Sequence, residues 1–253
     1  MTEEKAVGKR RRGRTIVLVL LVIALLAAII CLGSDDGQRR TLRGLLQSAQ
    51  YPQELRELAE KNPDAQAFVA QYPSMKDLEY RAADITLDAD YNTDAFPHLM
   101  QWDLRWGYAQ YGDGMLGLTG CGPTCLSMVT VGLTGNTEAN PLAVADYSAG
   151  QGWYIEGVGS SWELMRSGAE HFGLSWQELP LDEGVMRQAL KDDGALILSM
   201  LPGDFTESGH FIVVDGCTAD GFKVLDPNSY ARSKVWSYSE LSTQIGNIWA
   251  YTA

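Results

Sequence analysis

Nineteen consecutive positions without a charge, Thr15 to Gly33, constrain this chain more than any other stretch. As a helix rising about 1.5 Å per residue they span roughly 28 Å, close to the hydrocarbon thickness of a bilayer. Lys5, Lys9, Arg10, Arg11, Arg12 and Arg14 precede the run, and Ser34-Asp35-Asp36 follows it. Positive charge stays on the cytoplasmic side, so the N-terminus is expected inside a bacterial-type membrane and the rest outside. Cys31 and Gly33 are small residues in the spacing of a cleavage site before Ser34, which leaves a removed signal peptide, and hence secretion, open. The run is longer than the usual signal core and favours a retained anchor. Ile29 and Ile30 before Cys31 argue against lipoprotein processing. The segment divides the chain into a basic tail (1–14), an anchor (15–33), a helical stalk or cap (34–96) and a further domain (97–253).

Charge reverses across the anchor. The chain carries 20 Lys/Arg and 32 Asp/Glu. Six of those bases and two of those acids precede residue 15, leaving 14 against 30, a net of −16, beyond Gly33. Nucleic acid is disfavoured as a partner, because phosphate contacts need the opposite sign. The acidity fits an ectodomain kept soluble by its charge alone; attraction of basic substrates at long range is the alternative. Of four cysteines, Cys31 lies in the apolar run, and Cys121, Cys125 and Cys217 follow it. Three is odd, so at least one is a free thiol or pairs with another chain. A disulfide between Cys125 and Cys217 would leave Cys121 free. No Cys/His spacing suits zinc, and no metal or cofactor is expected.

Leu42, Leu45, Leu46, Leu55, Leu58, Phe68 and Val69 recur at helical spacing. Pro52 suits the first turn of a helix, Asn62 an N-cap that restarts it after a break, and Tyr72-Pro73 a stop. The spacing predicts two or three short helices, serving as stalk, cap or spacer. From Leu99 the chain becomes rich in Gly and Trp, with enough apolar content for a domain of about 150 residues. Helices are predicted over Pro123–Val131, Trp162–Phe172 and Gly184–Lys191. Strands are predicted over Ala195–Leu201, His210–Asp215, Phe222–Asp226 and Ser233–Trp236. Helices first and an antiparallel sheet after them give an α+β class.

A cysteine nucleophile needs a thiolate, an imidazole to move its proton and a third group to orient the imidazole. Gly120-Cys121-Gly122-Pro123-Thr124 places Cys121 where a helix starts, with Pro123 preset for its first turn. Cys125 falls one turn inside the same apolar helix, where a thiol is inert packing, so Cys121 is preferred. His210 opens an apolar strand at a sheet rim. Asp226 ends the next strand-like run, and pairing of the two strands would set it beside His210. His98 is expected in a surface loop and His171 on a helix, structural or exposed. Trp102, Trp106, Trp153 and Trp162 are expected in the core before a groove.

Together, Gly120-Cys121-Gly122-Pro123-Thr124, Gly209-His210-Phe211-Ile212-Val213-Val214 and Asp226-Pro227-Asn228-Ser229 resemble the bacteriocin-processing, double-glycine-leader peptidases. They are more similar still to the stand-alone relatives classed as peptidase C thirty-nine-like. The resemblance covers about Pro97 to Tyr251, and Tyr51-Pro52 to Tyr72-Pro73 looks like the helical lead-in of exported members. It implies a papain-like fold with Cys121 as nucleophile, His210 as base, Asp226 as orienting group and a glutamine that donates to the oxyanion. Gln101 resembles that glutamine, although twenty residues separate it from Cys121, and Gln110 is the nearer alternative. The implied function is a membrane-anchored extracytoplasmic cysteine peptidase acting on a peptide or protein substrate. A cell-wall amidase or endopeptidase with the same Cys-His chemistry and a catalytically silent binding module remain alternatives. One apolar segment and no nucleotide-binding motif give no expectation of processing coupled to transport.

Overall fold

A computed structural model describes Gly44, residues 50–191 and residues 194–253. The basic tail, the apolar run at 15–33 and the helix-spaced Leu42, Leu45 and Leu46 lie outside the described residues. No helix among the described residues is long and apolar enough to cross a membrane.

Helix α1 runs Gln53–Lys61, with Pro52 at its N-cap and not in its first turn. Leu55 and Ala59, four apart, form its buried stripe. Asn62 accepts from the Asp64 N–H and caps a single 3₁₀ turn, Pro63–Ala65. Helix α2, Gln66–Met75, runs past the stop expected at Pro73. A proline there removes one N–H near the end of the helix, so little of the ladder is lost. Its Phe68 and Val69 are buried, and the Phe68 ring stacks on Tyr108 at 4.2 Å. Residues Pro52–Ala253 form one compact unit, so these two helices belong to the same body as the segment that follows.

Strands β1 (Gln110–Tyr111) and β2 (Gly114–Met115) make a tight hairpin. Helix α3 (Leu116–Thr119) leads directly into α4 (Cys121–Thr134). Every residue of α4 from Gly122 to Val131 is buried, and Gly135 in the left-handed region (φ 70°) ends it. Helix α5 (Pro141–Gly150) starts from an Asn140 cap that accepts from the Ala143 N–H, with Pro141 at its head. Strands β3 (Tyr154–Ile155) and β4 (Gly159–Ser160) form a second hairpin. The helix expected over 162–172 is broken. A 3₁₀ turn, Trp162–Met165, capped by Ser161, is followed by α6, Ser167–His171. Between them Arg166 leaves helical dihedrals (φ −105°, ψ −90°) and its guanidinium is held by Glu163 and Glu178.

The remaining elements are β5 (Ser175–Glu178), α7 (Glu183–Lys191), β6 (Ala195–Met200), β7 (His210–Thr218), β8 (Gly221–Leu225), β9 (Val235–Trp236), α8 (Tyr238–Leu241) and β10 (Ile245–Thr252). The strands form a six-stranded antiparallel sheet in the order β5-β10-β6-β7-β8-β9. The α+β class expected from the sequence is therefore the observed one. Alternation along β6 and β7 divides the core in two. Ala195, Ile197, Phe211 and Val213 face α4 with Cys125, Leu126 and Val129. Leu196, Leu198, Ile212 and Val214 face the other side, with Met186 of α7, Phe222 and Trp236. Each large apolar side chain buried this way contributes about 1.5–3 kcal/mol.

This division corrects the expected disulfide. Cys125 and Cys217 are both free. Cys125 is buried on the α4 side of the sheet, whereas Cys217 of β7 packs with the cluster on the α7 side. A bridge would have to pass through the sheet.

Candidate active site

Cys121 is the first residue of α4. The glycines around it have a packing reason. A Cβ at Gly120 would stand 2.4 Å from the Leu116 carbonyl oxygen, and one at Gly122 would stand 2.5 Å from Ser160 Oγ. Without them the helix start rests directly on α3 and β4, which aims Cys121 outward. Cys121 is half-buried, while Cys125 has no exposed surface. Burial pushes the Cys125 thiol well up.

His210 opens β7, opposite Met200 at the end of β6. Strand β7 pairs with β8 through Val213 and Leu225, and Asp226 follows immediately. The pairing sets the carboxylate beside the imidazole: His210 Nε2 donates to Asp226 Oδ1 at 2.8 Å. The Asn228 N–H donates to the same oxygen at 2.8 Å, and Arg232 Nε donates to Oδ2 at 2.5 Å. Asp226 has no exposed surface, and three donors satisfy it. On its other side the imidazole acts on the Cys121 thiol and makes it more acidic. With Nε2 committed to Asp226, Nδ1 is the nitrogen left to the sulfur.

The electrostatics follow from this chain of contacts. Burial alone would raise the Cys121 thiol. The His210 hydrogen bond and charge, with the backbone N–H groups of Phe211 and Gly122, outweigh it and hold the thiol below its usual range. Burial would lower His210, but Asp226 and Cys121 push it up to about 9. Burial opposes ionisation of Asp226, and His210 and Arg232 overcome it and hold the carboxyl below the usual carboxylate range. At neutral pH this favours an imidazolium with a buried carboxylate behind it, beside a thiol that ionises more readily than an ordinary cysteine.

Gln101 is 3 % exposed. Its backbone N–H donates to the Pro227 carbonyl at 2.8 Å, next to Asp226. Its Nε2 donates to the carbonyls of Gly117 (3.0 Å) and Leu118 (3.3 Å), just before the start of α4. The twenty-residue gap to Cys121 is thus closed by the β1–β2 hairpin and α3 folding back on Gln101. Gln110 is exposed and bonds Gly112 O within its own hairpin. Both glutamines, Cys121, His210 and Arg232 line one cleft of about 1170 Å³.

Other candidates fall elsewhere. His98, expected on the surface, is half-buried behind Asp226, its Nε2 3.0 Å from both the Asp226 carbonyl oxygen and Ser233 Oγ. A loop tethered to another loop is not visible in local pattern. His171 is exposed and stacks on Tyr147 at 3.7 Å. Trp106 is buried, Trp102 donates to the Asn228 carbonyl, and Trp162 is 44 % exposed and packs edge-on against Trp249. Sequence reasoning missed Arg232, Asn228 and the cleft face of α1. The Asp226-Pro227-Asn228 run carried a signal for the Asn228 contact, since an aspartate bonding the backbone two residues on is a turn signature. Among the described residues no group of three or more His, Cys, Asp and Glu side chains is arranged to hold a metal.

The model of the Peptidase_C39 like family matches residues 93–253. No curated protein matches the chain. Among solved structures, the chain is similar to the peptidase domain of Streptococcus ComA, a bi-functional ABC transporter involved in a quorum-sensing pathway. That match has 13% identity and TM-score 0.42, and it covers 53% of this chain and 91% of the other. It is also similar to a protein of Bacillus anthracis described as a C39-like peptidase, with 12% identity, TM-score 0.39 and coverage of 62% and 94%. The match over residues 93–253, which takes in Gln101, Cys121, His210 and Asp226, makes this chain a member of the C39-like peptidase family.

Proposed function

We propose that the chain is a cysteine peptidase held on the outer face of the membrane by residues 15–33, with Cys121 as nucleophile, His210 as acid–base group and Asp226 as its orienting partner. The observation that carries this reading is the buried His210–Asp226 pair, bonded at 2.8 Å, with His210 and Cys121 on the wall of one cleft. The Cys121 thiolate attacks the scissile carbonyl carbon, forming a C–S bond and an oxyanion. Backbone N–H groups at the start of α4 and Gln101 Nε2 hold that oxyanion; the long 3.3 Å contact to Leu118 is the one the amide exchanges for it. Collapse breaks the C–N bond, and the imidazolium gives its proton to the leaving amine. Water then loses a proton to His210 and attacks the thioester, and the acid leaves as the C–S bond breaks. Gln101 is favoured over Gln110 because it is buried and tethered at both ends. The charge reversal across residues 15–33 supports the orientation.

The test is cleavage of a mixed peptide library by the full chain, read by mass spectrometry, beside the Cys121→Ala variant. Defined cleavage sites that disappear in the variant are expected. Cleavage persisting in Cys121→Ala, or none by the wild type, contradicts the reading.

A further inference from the structure

The family match begins at residue 93, so α1 lies outside it. Yet Glu54, Glu57, Leu58 and Lys61 of α1 line the same cleft as Cys121 and His210. These positions are spaced i, i+3, i+4, i+7 and form one helix face, while Leu55 and Ala59 anchor the helix from behind. The charges on the cleft do not cancel. Its cations are each held by an acid: Lys61 by Glu207 at 2.7 Å, Lys76 by Asp77 at 2.5 Å, and Arg232 by Asp226 at 2.5 Å. Glu54 and Glu57 are exposed and form no ion pair within 4 Å among the described residues, and Lys61, one turn from Glu57, attracts it but is bonded to Glu207. Asp113 of the β1–β2 turn, which accepts from the Tyr154 hydroxyl, and Asp204, which accepts from Gln244 Nε2, add further carboxylates to the lining. A separate observation points to a peptide in this cleft. Gln101 lines it, is 3 % exposed, and its Oε1 has no hydrogen-bond partner among the described residues. A buried acceptor left this way is costly unless a ligand N–H reaches it.

We propose that α1 is a substrate-selecting wall, and that Glu54 and Glu57 favour peptides carrying lysine or arginine close to the scissile bond. As a statement about cleavage this rests on the peptidase reading; as a statement about binding it stands apart from it. A carboxylate pair in a cleft of one prevailing sign attracts cationic side chains with little ordering of the protein, and the preference weakens as salt screens it. Leu58, one turn on from Glu54, offers an apolar surface to the aliphatic stem of a lysine.

The experiment separates binding from chemistry. In the full chain carrying Cys121→Ser, binding of dye-labelled Gly/Ser/Ala peptides with a central Lys-Lys, Gln-Gln or Glu-Glu is followed by fluorescence anisotropy. The Lys-Lys peptide is expected to bind about tenfold more tightly than Gln-Gln at low salt, and Glu-Glu more weakly than either. Glu54→Gln with Glu57→Gln is expected to lower the Lys-to-Gln ratio about five- to tenfold. A charge-matched control, Glu79→Gln with Asp220→Asn, alters exposed acids outside the cleft and is expected to leave the ratio in place. An unchanged ratio in the α1 variant, or an equal fall in the control, overturns the proposal. The same peptides given to the active chain distinguish the two readings. Cleavage without preference for Lys-Lys contradicts the α1 wall alone. Absence of cleavage, with binding that still follows Glu54 and Glu57, contradicts the peptidase reading alone.

Discussion

At the scale of single residues, Asp226 is the most constrained group in the candidate site. It has no exposed surface and both oxygens are occupied, one by His210 and Asn228, the other by Arg232. Arg232 bonds Asp226 and neither Cys121 nor His210, so its role is to fix the carboxylate that fixes the imidazole. Arg232→Ala is expected to lower kcat about tenfold, a loss near 1.4 kcal/mol of transition-state stabilisation. Arg232→Lys is expected to recover only part of it, because an ammonium lacks the planar fork. Steady-state kinetics on a library-derived peptide checks this, and wild-type kcat in Arg232→Ala contradicts it. Arg232 was illegible in the sequence, because its partnership with Asp226 is made within the loop between β8 and β9, whose path no periodicity encodes. Cys121, His210 and Asp226 were legible because each sits at the edge of an element with a strong local signal: Gly-Cys-Gly-Pro before an apolar helix, and polar residues bounding apolar strands.

At the scale of elements, the position of the sulfur depends on how closely α4 can start against α3. A methyl group at Gly120 meets the Leu116 carbonyl oxygen at 2.4 Å, and backbone there has little room to yield. Gly120→Ala is expected to cost about 1–3 kcal/mol in urea unfolding and to slow alkylation of Cys121. Unfolding and alkylation both equal to wild type contradict the packing argument. The elements also show where sequence pattern ran out. Strands β6 to β8 were visible as apolar runs between turn residues. Strand β10 was not, although it lies between β5 and β6. Its Ile248, Trp249, Ala250 and Tyr251 are buried on both faces, so no alternation marks it. Strand β5 is mostly exposed and polar, which hides it for the opposite reason. Pro73 was expected to end α2 and the Trp162–Phe172 helix to be continuous; one proline late in a helix and one Arg166 held by two carboxylates reversed those expectations.

At the scale of the whole molecule, α1 and α2 are structural members of the same unit as the family domain. Asn62 Nδ2 donates to the Asn228 carbonyl at 2.5 Å, and the Tyr230 N–H donates to Asp64 Oδ2 at 3.0 Å. The helical lead-in therefore braces the loop that carries Asp226. Deleting residues 1–33 is expected to move the protein from the alkali-resistant membrane fraction to the soluble one while leaving peptide cleavage within about twofold of the full chain. Fractionation with carbonate checks the first and kinetics the second. A soluble product of the full-length gene that begins at Ser34 contradicts a retained anchor and favours release after Gly33.

The central claim concerns the state of one sulfur. His210 titrates above its ordinary value, so it keeps its proton through neutral pH and loses it as pH rises through about 9. The Cys121 thiol lies below its ordinary value, so its thiolate forms at lower pH than that of an ordinary cysteine. The most direct test is the rate of iodoacetamide alkylation of the native chain from about pH 6.5 to about pH 8.5, resolved by peptide mass spectrometry. Cys121 is predicted to react first, with a rate that rises at lower pH than in His210→Ala, whose climb is predicted to follow the ordinary thiol pKa of about 8.5. A wild-type rate that climbs in the same way, or reaction at Cys125 or Cys217 ahead of Cys121, would contradict the account.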